Sequence, residues 1–282
     1  MTLDRRLHAY REDLADERLE GRVTAERFVA GKARLVGCGV ADLRRRPSHD
    51  APLDAQIWYG ERVRLFESRA GWAWVQAERD GYVGYTPLPS LAAESPAAPS
   101  HLVSALMTFR FPEPSVKAPP LDRLPLGALL RAETHNERFL ALDDGGYVFS
   151  RHTSGLDRRW PDWPATALRL LGVPYLWGGR SCLGVDCSGL VQMALLLAGR
   201  QVPRDSDMLR EHPGLGSDLP PDAPRQRGDL LFSPGHVVIA LDGSEIVHAN
   251  AHHLAVEREP FEDFRQRLAG LGEGVTLLRR PR

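Results

Sequence analysis

Every position from Leu190 to Ala198 except Gln192 is apolar, and the run is bracketed by Asp186-Cys187-Ser188-Gly189 and by Gly199. Apolar residues on all sides predict a buried helix, too short to span a bilayer, with Gly199 as its stop. Downstream the pattern changes to short strands. Gly228-Asp229-Leu230-Leu231-Phe232 follows a turn, His236 opens the run to Leu241, and Ile246-Val247-His248-Ala249 returns after Asp242-Gly243. Upstream, residues 3–30 are charged and predict one or two helical turns. From Ala33 the chain reads as short strands: Ala33–Val36, Ala41–Arg44, Gln56–Glu61, Arg62–Glu67, Gly71–Ala77 and Asp80–Tyr85. Strands at this spacing indicate a small barrel. After an Ala/Pro/Ser-rich linker, Ala92–Ser100, a second β module is predicted from Leu102–Leu106, Ala128–Ala132, Arg138–Leu142 and Gly146–Phe149.

Cys187 stands at the start of the buried helix, where free backbone N–H groups and the helix dipole favour thiolate over thiol. A free cysteine is more often just a small buried hydrophobe, so the position alone decides nothing. Two histidines on one hairpin, His236 and His248, shift the balance. A thiolate nucleophile needs a base, and the base needs a group that orients its ring. For both histidines to face one site, they must lie on the same side of adjacent antiparallel strands. A two-residue Asp242-Gly243 loop would put His248 opposite Val237 and on the wrong face. A three-residue loop would put it opposite Val238 and on the face of His236. The pattern therefore predicts an odd-length loop or a bulge.

Composition adds limits. The 282 residues suggest about two domains. A net charge of −1 argues against nucleic-acid binding. Three cysteines, Cys38, Cys182 and Cys187, make no disulfide framework and fit a reducing compartment. The N-terminal residues show neither a signal peptide nor a membrane anchor, so a cytoplasmic protein without membrane contact is expected. His252 and His253 follow His248, yet no cysteine or carboxylate stands at a recognisable ligand spacing, and no metal or cofactor is expected.

Tyr175-Leu176-Trp177-Gly178-Gly179, Asp186-Cys187-Ser188-Gly189-Leu190-Val191-Gln192, Gly228-Asp229-Leu230-Leu231-Phe232, His236-Val237 and His248-Ala249 together resemble the NlpC-type cell-wall cysteine peptidases. The resemblance implies an α+β chain: a permuted papain-like catalytic domain preceded by two small SH3-type β-barrels. The implied domains are a helical segment at 1–31, SH3-type domains at 32–91 and 100–154, and the peptidase domain at 156–282. It implies Cys187 as nucleophile, His236 as general base, His248 as orienting residue and Tyr175 on the oxyanion side. The implied reaction is hydrolysis of the γ-D-glutamyl–diamino acid bond in murein peptides with a free N-terminal L-alanine, in a monomeric enzyme of wall-peptide recycling. Trp177, Ser188 and Ser206 are assigned to the substrate groove. A free amine requires a carboxylate partner. Asp186 is one candidate, with a helix cap as its simpler role. By resemblance to multi-domain relatives, Glu61 and Tyr82 of the first β module are expected to join it at one end of the cleft, near Cys187. Two other functions fit the same residues less well: a thiol amidase or acyltransferase on this fold, and a non-catalytic wall-binding protein.

Overall fold

The computed structural model describes residues 3–281; the outermost residues of the expected first and last domains, 1, 2 and 282, lie outside it. The chain divides into two compact units, residues 1–158 and 159–282.

In the first unit, the expected N-terminal helical segment is replaced. Among the described residues it holds two short parallel strands, Ala15–Asp16 and Phe28–Val29, and one 3-10 turn, Glu17–Leu19, capped by Asp16. Its apolar residues do not recur at helical spacing. Instead Ala9 and Leu14 pack on Phe66 and Trp74 of the β module, and the Arg11 guanidinium lies 4.3 Å from the Trp74 ring. That module is a seven-stranded antiparallel sheet in the order Leu53–Trp58, Val40–Arg44, Val83–Pro87, Trp72–Ala77, Arg62–Arg69, Lys32–Val36, Leu91–Ala92. The strand expected over Gln56–Glu61 stops at Trp58, because Gly60 turns with φ +79°. A Cβ at Gly60 would meet the Leu129 carbonyl at 2.0 Å.

That close approach belongs to a broader junction. The two β regions, expected as separate domains, share one unit. Leu129 N–H donates to the Tyr59 carbonyl at 3.0 Å, and the Tyr59 hydroxyl donates to Asp144 at 2.5 Å. Even the expected linker is engaged, with Arg131 donating to the Ala97 carbonyl at 2.8 Å. Residues 101–155 form a five-stranded and a three-stranded sheet. They include strands the pattern does not announce, Met107–Phe111, Asp122–Pro125 and Thr153–Gly155.

The second unit combines helices with one six-stranded antiparallel sheet. Its helices are α1 (Trp163–Leu168), α2 (Cys187–Leu197), α3 (Ser206–Glu211) and α4 (Phe261–Gly270). The strands of that sheet are β1 (Ser217–Leu219), β2 (Leu230–Ser233), β3 (His236–Ala240), β4 (Glu245–Asn250), β5 (Ala255–Pro260) and β6 (Leu277–Arg280), in spatial order β1-β6-β2-β3-β4-β5. Helix α2 is buried all round except Leu196, as its composition predicts, and packs on β3 and β4. Gly199 adopts φ +85° just beyond it. Phe261, Phe264 and Leu268 of α4 cover Leu231, Val238, Ala240 and Ile246 of the sheet. Among the described residues, no helix is long and apolar enough to cross a membrane.

The β3–β4 register pairs Ile239 with Val247 and Ala240 with Ile246. Leu241 N–H donates to the Glu245 carbonyl, so Asp242-Gly243-Ser244 is a three-residue loop. The Asp242 carboxylate holds it by accepting from the Ser244 and Glu245 N–H groups. The odd-length loop expected from the two histidines is therefore present, and both rings share one face.

Candidate active site

Asp186 is the N-cap of α2 and accepts the Gly189 N–H at 2.7 Å. Its other oxygen accepts the Gly178 N–H at 2.9 Å. Across the carboxylate lies Arg204, wholly buried (0 % exposed), donating to both Asp186 oxygens at 2.9 and 2.7 Å, to Ser188 Oγ at 2.9 Å and to the Gly179 carbonyl at 3.1 Å. This one guanidinium ties the cap, the first turn of α2 and the Gly178-Gly179 loop together. Sequence reading missed it: of the Pro203–Ser206 stretch only Ser206 was assigned to the substrate groove, whereas Arg204 is an internal brace. Ser206 begins α3 and is half-buried. Ser188 and Asp186 are both buried within the Arg204 network.

Cys187 is thereby fixed at the first position of α2, and the Val237 backbone N–H bonds its sulfur. The nucleophile candidate thus meets the start of β3, one residue from His236. Burial pushes the thiol up to about 12, with the Asp186 charge adding to the rise; Val237, Arg204 and the Ser188 amide pull the other way. The expected thiolate-favouring effect of the helix start is outweighed by desolvation. Burial, helped by His248, takes His236 down to about 3. The resting pair is accordingly a neutral thiol and a neutral imidazole.

The two rings meet directly. His236 Nε2 lies 2.8 Å from His248 Nδ1, and both rings pack against Phe264 of α4, with centroids 6.1 and 5.5 Å away. His248 is buried (1 % exposed), and that burial lowers its affinity for a second proton. Its Nε2 is 2.6 Å from Glu259 Oε1. Glu259 in turn accepts from Arg267 at 2.5 and 3.0 Å. Burial raises the Glu259 carboxyl, but the bonds to His248 and Arg267 prevail and hold it at about 2. Neither Glu259 nor Arg267 was anticipated. The available signal was β5: His248 faces Glu257 in the β4–β5 register, and Glu259, two positions on, shares that face.

Tyr175 forms a bridge to Val185, and its hydroxyl lies within electrostatic reach of Cys187; burial first, then the Cys187 charge, raises its pKa. Trp177 is 65 % exposed beside it. In the first unit, Tyr82 is buried. Glu61, expected to offer a carboxylate, is 1 % exposed and opposed by Arg79 at 3.4 Å. His248, His253 and Glu259 each bring one potential metal-ligand atom within 4.8 Å of the others, a grouping the sequence spacing hid. Arg267 donates to both Glu259 oxygens, which leaves that carboxylate poorly suited to a dication.

Residues 172–270 match the NlpC/P60 family, and residues 43–91 match the bacterial dipeptidyl-peptidase Sh3 domain. Dipeptidyl-peptidase 6 of Lysinibacillus sphaericus is 30 % identical over 234 residues, covering 75 % of this chain and 85 % of that protein. The chain belongs to the NlpC/P60 family. A relative from Bacillus subtilis named γ-D-glutamyl-L-lysine dipeptidyl-peptidase is 25 % identical over 233 residues, covering 74 % of this chain and 76 % of that one. The fold is that of an NlpC/P60 family crystal structure from Bacillus cereus, with a TM-score of 0.75 at 19 % identity, covering 89 % of this chain and 99 % of that one. This NlpC/P60 peptidase therefore combines the family's hydrolase domain with an SH3-type domain.

Proposed function

We propose that this peptidase cleaves the γ-D-glutamyl–diamino acid bond of short murein peptides with a free N-terminal L-alanine, in the recycling of wall fragments. The observation that carries the reading is the hydrogen-bonded His236–His248 pair together with the bond from the Val237 backbone, next to His236, to Cys187 at the head of α2. In this reading Cys187 attacks the glutamyl γ-carbonyl as His236 takes the thiol proton. His236 then passes the proton to the leaving amine and activates water to release the acyl group. Because thiol and imidazole both rest neutral, proton transfer accompanies attack. The Cys187 backbone N–H at the helix start and the protonated Tyr175 hydroxyl stabilise the oxyanion. No metal enters the reaction.

Support for the substrate comes from the relatives named γ-D-glutamyl-L-lysine dipeptidyl-peptidase. A dipeptidyl-peptidase releases a dipeptide from a free N-terminus, which agrees with a site that binds an ammonium. Asp186 already faces Arg204, and Glu61 already faces Arg79. Either carboxylate would have to be shared with its arginine to bind the substrate amine. The test is L-Ala-γ-D-Glu-diamino acid tripeptide with a free or an N-acetylated amine. The free peptide is expected to be cleaved at least about tenfold faster, since an unmatched buried polar group costs about 1–3 kcal/mol. Equal rates would refute amine recognition. Glu61→Gln and Tyr82→Phe variants, assayed on both peptides, test whether the first unit takes part.

A further inference from the structure

We propose that Glu259 is a positioning residue that sets the tautomers of both histidines and so leaves His236 Nδ1 as the atom that accepts the thiol proton. The inference rests on the Cys187–His236 chemistry proposed above, but its decisive readout needs no substrate.

The argument follows the protons. An ionised carboxylate only accepts hydrogen bonds. Glu259 is kept ionised by Arg267, which donates to both of its oxygens. At 2.6 Å from Glu259, His248 Nε2 must therefore carry the proton of that bond. His248 is neutral, so its Nδ1 is bare and accepts. The 2.8 Å contact then requires His236 Nε2 to be the donor. His236 is neutral as well, which leaves its Nδ1 with a lone pair. The proton leaving Cys187 Sγ as the S–C bond forms ends on that nitrogen.

Asn250 makes this arrangement one of two that compete. Its Oδ1 accepts the His253 backbone N–H at 2.8 Å, which fixes the amide's orientation and turns the Nδ2 group toward His248. Nδ2 lies 3.0 Å from His248 Nε2. Two donors now face each other there, and Glu259 decides the outcome. Without the carboxylate, Asn250 would donate to a bare Nε2 and move the proton to His248 Nδ1. His236 Nε2 would then become the acceptor and its Nδ1 would carry hydrogen. In the chemistry proposed above, the nitrogen needed to take the thiol proton would then carry an N–H in place of a lone pair. Arg267 offsets the charge of Glu259, so the role lies in accepting a hydrogen bond rather than in supplying negative charge.

The test begins with the wild-type protein, by ¹⁵N NMR of its histidine rings. The expected spectrum has His236 and His248 both protonated at Nε2 and bare at Nδ1. Either ring protonated at Nδ1 alone would overturn the proposal, whatever the substrate proves to be. Glu259→Met removes the acceptor at similar volume. It is expected to invert both tautomers and to slow carboxamidomethylation of Cys187 by iodoacetamide, and tripeptide turnover, by about 10²-fold or more, the range of general-base assistance. KM should stay within about twofold. Adding Asn250→Ala to Glu259→Met removes the competing donor and is expected to recover at least about tenfold of the loss. Unchanged tautomers and rates in Glu259→Met, or no recovery in the double variant, would overturn the proposal. If wild type fails to cleave the tripeptide but shows the expected tautomers, the substrate assignment falls and the role of Glu259 stands.

Discussion

Removing Arg204 should unfasten the head of the catalytic helix. The guanidinium is fully buried and makes two bonds to Asp186, one to Ser188 and one to the Gly179 carbonyl, all between 2.7 and 3.1 Å. Breaking a buried ion pair from one side costs about 3–5 kcal/mol, because the remaining charge stays buried without its counterion. Arg204→Met keeps much of the volume and leaves Asp186 with the Gly178 and Gly189 amides and the Ser188 hydroxyl, so its cost belongs near about 3 kcal/mol. Asp186→Asn keeps a cap acceptor but leaves Arg204 as an uncompensated buried cation, placing its cost toward 5 kcal/mol. In the double variant neither charge remains, and the combined loss should fall short of the sum by about 2 kcal/mol or more. Urea unfolding of the full chain, followed by tryptophan fluorescence, measures all three differences. Single losses under about 1 kcal/mol, or strict additivity, would refute the view that this pair braces the nucleophile.

Three further outcomes follow. Deleting Ser244 leaves a two-residue loop, moves His248 to the opposite face of β4 and should reduce turnover by at least about 10²-fold, the share of a general base; activity within tenfold of wild type would contradict the register argument. Gly189→Ala places a Cβ 2.4 Å from the Gly179 carbonyl and should destabilise the protein by about 1–3 kcal/mol, although alanine favours helix elsewhere; a stabilising effect would show the contact to be slack. His236 binds a proton in the unfolded chain below about pH 6.5 but in the folded protein only near 3, so its contribution is intact above 6.5 and erodes as pH falls. At about 1.4 kcal/mol per pH unit, wild type should lose about 2 kcal/mol more than His236→Gln between pH 7 and 5, and parallel urea titrations of the two would contradict that.

What the sequence disclosed and what it hid divide along a physical line. Helix α2 was legible because an apolar run with a polar cap and a glycine stop has one stable local solution. The three-residue loop was legible because strand alternation is strict and two histidines had to share a face. Glu61 is buried against Arg79, eighteen positions later, a pairing that no local pattern shows. Arg204 and Glu259 were hidden for the same reason. Each acts on a partner more than ten residues away, and charge pairing across such distances leaves no local period. Glu257-Arg258-Glu259 reads as an exposed charged strand, and only the packing of α4 brings Arg267 to neutralise its buried member. The N-terminal segment misled differently. Its charges suggested helical turns, whereas the stabilising contacts of Ala9 and Leu14 lie on the neighbouring sheet.

The central claim is tested most directly by mass analysis of one digest, L-Ala-γ-D-Glu-diamino acid tripeptide incubated with wild-type protein and with Cys187→Ala. Release of L-Ala-γ-D-Glu and the free diamino acid by wild type, with none from a folded Cys187→Ala variant, is the predicted result. Cleavage at another bond, or the same products from the variant, would contradict it.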